Sequence, residues 1–198
     1  MSTATLTRRR PPTSPSGRPA TAADTTTANR EIVVFSSELG WMAAIVRRDN
    51  DRRDVLCELT FGHASPQAAV RRLAAAGDAA ATQRQPALVG VLQAFARGEP
   101  VDLNQISIDL GELPPFAQRV VEHCRQIPYG QTLTYSDLAA QAGSPRAARA
   151  VGNVMRTNRI PLVVPCHRVV PRGSGLGGYS APGGVRAKLR LLELEGNR

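Results

Sequence analysis

Little in the sequence could cross-link it. The three cysteines, Cys57, Cys124 and Cys166, are widely separated and none forms a CxxC pair. That spacing argues against a disulfide framework and a cysteine-rich zinc site, and it fits a reducing compartment where a free thiol survives. No ligand set for a metal is visible elsewhere, so no metal is expected. Long apolar runs are also missing. No stretch approaches a membrane span, and the N-terminus lacks the apolar core of a signal peptide. A soluble, intracellular protein without a membrane partner is expected.

Lysine is nearly absent too, Lys188 being the only one, so the formal charge of +9 and the pI of about 10.8 come from arginine. Arginine matches phosphate with a planar fork of donors and stacks on bases, so a polyanion partner is one reading. A genome biased toward arginine and alanine is the other, and composition does not separate them. The 198 residues, 42% apolar, are enough for one large or two small domains with a core.

Residues 1 to about 30 carry Thr, Ser, Pro, Ala and Arg without apolar periodicity and read as a disordered tail. Arg8-Arg9-Arg10 within it reads as a solvated basic run. Strands are predicted at Ile32 to Phe35, Gly40 to Val46 and Val55 to Phe61. Ser65-Pro66 opens a helix through Ala76 that Gly77 stops. Leu88 to Arg97 reads as a helix, and Val101 to Leu110 as a strand or extended connector. Cys57 and His63 lie close in sequence, but ordinary packing accounts for them. Leu113-Pro114-Pro115 marks a boundary between an α/β domain (31–112) and a mainly helical one (113–198).

In the second half, Phe116 to Gln126 reads as a helix with Cys124 on its apolar stripe. A short helix from Ser136 to about Ala142 ends at Gly143. Ser144-Pro145 is then expected to cap and start a longer helix to about Thr157, completing a helix-turn-helix. This last helix is unusual. Ala147, Ala148, Ala150 and Gly152 are small, while Arg146, Arg149 and Arg156 are basic. Small residues allow close approach to a partner surface, and arginines hold phosphates or enter a groove.

Most of the chemical information lies in Pro165-Cys166-His167-Arg168-Val169, which follows the apolar run Ile160-Pro161-Leu162-Val163-Val164. The proline resists helix and keeps the segment extended. His167 brings an imidazole near the sulfur, and a thiol beside a base is the usual start of a nucleophile. Alone, the pair reads first as a buried structural cysteine beside a chance histidine.

The surrounding residues resemble the O6-alkylguanine-DNA alkyltransferases. The likeness rests on Tyr135 before a Leu-Ala-containing helix, on Ala147-Ala148-Arg149-Ala150-Val151-Gly152, on Asn158, on Pro165 to Val169, and on Gly178-Tyr179-Ser180. It covers about residues 115 to 195. The resemblance implies a ribonuclease H-like N-terminal α/β domain and a mainly α, winged-helix-like C-terminal domain with a helix-turn-helix. It implies single-turnover transfer of the alkyl group from O6 of guanine in double-stranded DNA to Cys166, with no cofactor. O4-alkylthymine and the preferred alkyl size stay open. A monomer is expected, in the cytoplasm with the bacterial nucleoid or in a eukaryotic nucleus.

The resemblance also distributes roles. His167 would take the thiol proton through a bound water. Glu195, in register after a two-residue insertion near Ala181-Pro182, would orient that histidine. Asn158 would brace the turn before the cysteine. Tyr135 would donate its hydroxyl to the base or leaving group. Tyr179 and Ser180 would line the base pocket, and Val169 would offer it a backbone carbonyl. Arg149 would fill the space left when the damaged nucleotide rotates out through the minor groove. Ala147, Ala148, Ala150, Gly152 and Arg156 would lie against the DNA. A damage-flagging relative would lack the cysteine, and a hydrolase sharing the Cys-His pair would have no reason for the arginine-bearing helix.

Overall fold

The computed structural model describes residues 30–74 and 79–196. Arg8-Arg9-Arg10, the rest of the tail and Gly77 lie outside the described residues. Three long strands open the fold: β1 (Arg30–Phe35), β2 (Trp41–Arg48) and β3 (Asp54–His63). They pair antiparallel as a meander, and the short β4 (Ala80–Ala81) adds parallel to β1, giving the order β3-β2-β1-β4. Alternation along β1 sorts side chains onto two faces. Ile32, with Ala43, Ile45 and Cys57, packs under Ala69 and Leu73 of α1 (Pro66–Ala74). Ser65 Oγ accepts the Ala68 N–H, so this helix starts where its cap signal says.

The other face of the sheet carries Val33, Phe35, Ala44, Leu56 and Phe61, and it feeds the main core. That core continues through Leu92 and Phe95 of α2 (Ala87–Ala96) and Val120 and Cys124 of α3 (Pro115–Arg125). It ends on Leu138, Val151 and Leu162. The Pro114-Pro115 boundary therefore separates chain segments that share one apolar interior. Between them, residues 101–110 form a connector. Its middle is a 3₁₀ turn, Leu103–Gln105, capped by Asp102. Its end is tied to β3 where Leu56 N donates to Ser107 O and Asp109 N donates to Leu56 O, both at 2.9 Å.

After α3 come a two-residue strand, β5 (Leu133–Thr134), and α4 (Tyr135–Gln141), which is capped by Thr134. Then follow α5 (Ala148–Arg156), a 3₁₀ turn at Cys166–Arg168, β6 (Val169–Val170) parallel to β5, and α6 (Gly184–Leu194). α5 begins three residues later than Ser144-Pro145 suggests, so Arg146 and Ala147 precede the helix. The Ser144 C=O accepts the Ala147 N–H at 2.9 Å, so a separate turn precedes α5, and Ser144 itself closes α4. Its N–H donates to Ala139 O at 2.8 Å and the Gly143 N–H donates to Ala140 O at 3.0 Å, with Gly143 at φ 78°. These are the paired bonds of a Schellman ending for α4. No helix among the described residues is long and apolar enough to cross a membrane.

Candidate active site

The loop from α5 to Cys166 is folded around one side chain. Asn158 Oδ1 accepts the Ile160 N–H at 3.0 Å, and its Nδ2 donates both to Val164 O at 2.8 Å and to Cys166 Sγ at 3.2 Å. Leu162 turns the loop at φ 73°, a conformation costing a leucine about 1–2 kcal/mol. Its side chain is buried, which returns about 2 kcal/mol. The two terms roughly cancel, and the Asn158 bonds decide the geometry. Cys166 is only 6% exposed. Burial pushes its thiol pKa up, while the Asn158 hydrogen bond, the Lys188 charge and the Tyr179 hydroxyl oppose the shift. The resting sulfur is therefore a thiol, and a base must remove its proton for it to attack.

His167, the next residue, pairs with Glu195. Their side chains are fully buried, with Nε2 and Oε1 2.9 Å apart. Burial lowers the His167 pKa more than Glu195 raises it, so the ring is neutral near pH 7 and Nε2–H donates to the carboxylate. Nδ1 is buried and takes no protein partner among the described residues. Burial works against the Glu195 charge too, but bonds from His167 and Arg168 overcome it and hold the carboxyl below its usual range. Arg168 donates to both Glu195 oxygens through Nε and Nη2, and to Ile127 O through Nη1 at 2.6 Å. Gly130 N also donates to Glu195 Oε2. The backbone at Gly130 sits so close to Glu195 that a Cβ there would lie 2.9 Å from the Glu195 carbonyl oxygen. Phe95 meets the His167 ring edge-on, its centroid 6.4 Å away.

The sulfur opens onto a cavity of about 520 Å³ lined by Tyr135, Gly152, Arg156, Tyr179 and Ser180, with Met155 and Gly177-Gly178. That volume suits a heteroaromatic ring. The structure thus brings Cys166, His167, Glu195, Asn158, Tyr135, Tyr179 and Ser180 to one place. Gly152 and Arg156 of α5 are in that lining, Ala148 lies on the same helix, Arg149 and Ala150 are exposed on it, and Ala147 comes just before it. Val169 departs from expectation. It is fully buried, it does not line the cavity, and its carbonyl accepts the Lys188 Nζ at 2.6 Å.

Two residues of the site were not anticipated, Arg168 and Lys188. Lys188 has no exposed surface, and its ammonium lies 5.9 Å from the Tyr135 ring centroid. Burial drives its pKa down to about 8. A signal for it does exist. Lys188, Leu191, Leu192 and Glu195 recur at i, i+3, i+4 and i+7, so both ionisable groups sit on the buried stripe of α6 and its cap. Among the described residues no group of three or more His, Cys, Asp or Glu could hold a metal.

Fold and site together define a mixed α/β protein with a buried cysteine followed by a buried histidine–carboxylate pair. Residues 115–197 match the family described as 6-O-methylguanine DNA methyltransferase, DNA binding domain. A Mycobacterium tuberculosis OGT solved in complex with DNA is 31% identical with a TM-score of 0.62, over 84% of this chain and 93% of that one. The methylated-DNA–protein-cysteine methyltransferase of Methanothermobacter thermautotrophicus is 43% identical over 110 residues, 55% of this chain and 60% of the relative. The one from Mycobacterium leprae is 44% identical over 108 residues, 54% of this chain and 62% of the relative. The chain belongs to the 6-O-methylguanine DNA methyltransferase family. It spans about three fifths of the length of the curated relatives it matches.

Proposed function

We propose that this protein reverses alkylation damage in double-stranded DNA by moving the alkyl group of O6-alkylguanine onto Cys166. The observation that carries the reading is the Cys166 thiol, held by Asn158 at the floor of a base-sized cavity and followed by the buried His167–Glu195 pair. The family's function and the DNA-bound relative support it. In this reading residues 31–112 form a ribonuclease H-like domain, and residues 113–198 a winged-helix-like one. Its α4 and α5 make a helix-turn-helix. The protein acts as a monomer in the compartment that holds the DNA.

The damaged nucleotide leaves the stack, because O6 is unreachable inside a duplex, and enters the cavity between Tyr135 and Tyr179. The thiol proton passes through a water to His167 Nδ1, the lone pair that Glu195 leaves free by holding Nε2–H. The sulfur then attacks the alkyl carbon. The S–C bond forms, the C–O6 bond breaks, and the electron pair leaves with the purine. The Tyr135 hydroxyl gives that purine a proton. Ser180 lines the pocket beside the base. The thioether is stable, so each molecule reacts once and no cofactor takes part.

The test is to mix the protein with duplex DNA carrying one O6-methylguanine and take intact and peptide masses. One methyl on the Cys166 peptide, with the yield stopping at one per protein, is expected. Binding with no mass change would make this a damage-flagging protein and would exclude Cys166 as acceptor.

Arg149 projects from the exposed side of α5, where it can fill the gap left in the duplex. Arg149→Ala should slow repair of duplex substrate by about tenfold or more while leaving transfer from a free alkylguanine base nearly unchanged, given roughly 1–3 kcal/mol for a stacked contact. Equal losses on both substrates would remove that role.

A further inference from the structure

We infer that Arg159 is a positioning residue through which the N-terminal sheet sets the Asn158 hydrogen bond on the reactive sulfur. Arg159 lies between Asn158 and Ile160, one of the three residues bonded to the Asn158 amide. Asn158 itself carries the donor to Sγ, and Ile160 N–H holds its Oδ1. Arg159 is tied to the other half of the molecule by three links. Its carbonyl accepts the Leu59 N–H of β3 at 2.9 Å. Its guanidinium donates to Leu110 O at 2.5 Å. Its Nη1 lies 3.6 Å from Oε1 of Glu58, a nearly buried carboxylate on β3.

Leu110 is itself anchored, because the connector before it is bonded to Leu56 of the same strand. All three links thus lead back to β3. A cleft of about 280 Å³ between the two halves has Glu58, Thr60, Asn158, Arg159 and Cys166 in its walls, so the sheet and the sulfur border the same space. Releasing Arg159 frees the peptide units on either side of it, and the Asn158 amide loses its fixed plane. An N–H donor to sulfur favours the thiolate, so a displaced amide leaves the thiol harder to ionise.

The inference deepens the alkyl-transfer reading and rests on it only for what the sulfur attacks. Thiol reactivity tests it without DNA. The rate of Cys166 carbamidomethylation by iodoacetamide is followed against pH by peptide mass. The proteins are the wild type, Arg159→Ala, Glu58→Gln, Asn158→Ala and the Arg159→Ala/Asn158→Ala double variant. Arg159→Ala should raise the pH midpoint by about half a unit or more, and slow methyl transfer from an O6-methylguanine duplex by roughly threefold to tenfold. Glu58→Gln should move both in the same direction by less. With Asn158 already replaced, Arg159→Ala should have no further effect on the midpoint, since groups that act in series are not additive. A wild-type midpoint in Arg159→Ala, or a full additional shift in the double variant, would overturn the inference. The second result would assign the effect to the charge of Arg159 rather than to Asn158. A midpoint shift in a protein that takes no methyl from the duplex would uphold this inference and remove the alkyl-transfer reading instead.

Discussion

Glu195→Ala should lower stability by about 3–5 kcal/mol and reduce alkyl transfer at least a hundredfold. The carboxylate has no exposed side-chain surface, and two nitrogens of Arg168 and one of His167 converge on it. Arg168 is itself only 8% exposed, and its guanidinium lies 5.9 Å from the Tyr129 ring centroid. Without the carboxylate, a guanidinium with little access to water keeps one strong acceptor, Ile127 O. Leaving that charge uncompensated outweighs the few tenths of a kcal/mol typical of an exposed pair. Glu195→Gln keeps the shape and one acceptor oxygen, so it should be less unstable while remaining slow in transfer. Urea unfolding at pH 7 measures the first effect and single-turnover kinetics the second. An alanine variant within 1 kcal/mol of wild type would show that Arg168 finds another partner.

The same pair adds to the loss of stability in acid. Glu195 has a folded pKa below its unfolded one, so its contribution is present above the ordinary carboxylate range and is lost as pH falls through the folded value. The folded His167 pKa is also depressed, so below about 6.5 the unfolded chain takes up a proton that the native ring resists. Both terms remove stability on acidification. In Glu195→Ala the carboxylate part of that loss should be missing.

Lys188→Met is the second large effect, and it should separate stability from activity. Burial moves the lysine pKa from 10.5 to about 8, so the folded state holds that proton less tightly by about 3 kcal/mol. Methionine removes the buried charge but strands the Val169 carbonyl at a cost of about 1–3 kcal/mol. The variant should therefore be as stable as wild type at pH 7, or more stable by up to about 2 kcal/mol. Between pH 8 and 10.5 the unfolded chain keeps a proton that the folded wild type has released, so wild type gains stability as pH rises. The gap should close there.

Activity should respond in the opposite direction. Lys188 opposes the rise in the Cys166 pKa, so its loss should slow transfer about tenfold or more. The wild-type pH–rate profile should climb with thiol ionisation and bend near pH 8 as the ammonium discharges. The Lys188→Met profile should lack that bend. A bend retained in the variant would assign it to another group.

The parts of the fold that follow local rules were legible in the sequence. The first three strands announce themselves by apolar runs between turns, and Ser65 caps its helix. Ser144 misled because a serine after Gly143 can close α4 without opening the next helix, and here the Ala147 N–H turns back onto its carbonyl before α5 begins. The reactive turn was readable because Cys166, His167 and Asn158 lie within ten residues of one another. The rest of the site depends on distance along the chain. Arg168 meets Ile127 across 41 residues, and Arg159 meets Leu110 across 49. Such pairings leave no periodicity. The Val169 carbonyl is engaged in the same way, by a lysine 19 residues later.

That lysine also makes the molecule its own reporter. Amine-directed labels, whose side-chain targets lie scattered over the surface of most proteins, have one such target here, and it is sealed behind the Tyr135 ring. Acylation of Lys188 requires the site to open, so its rate counts opening events much as amide exchange does for backbone. A homobifunctional lysine cross-linker would find no second side chain within the molecule.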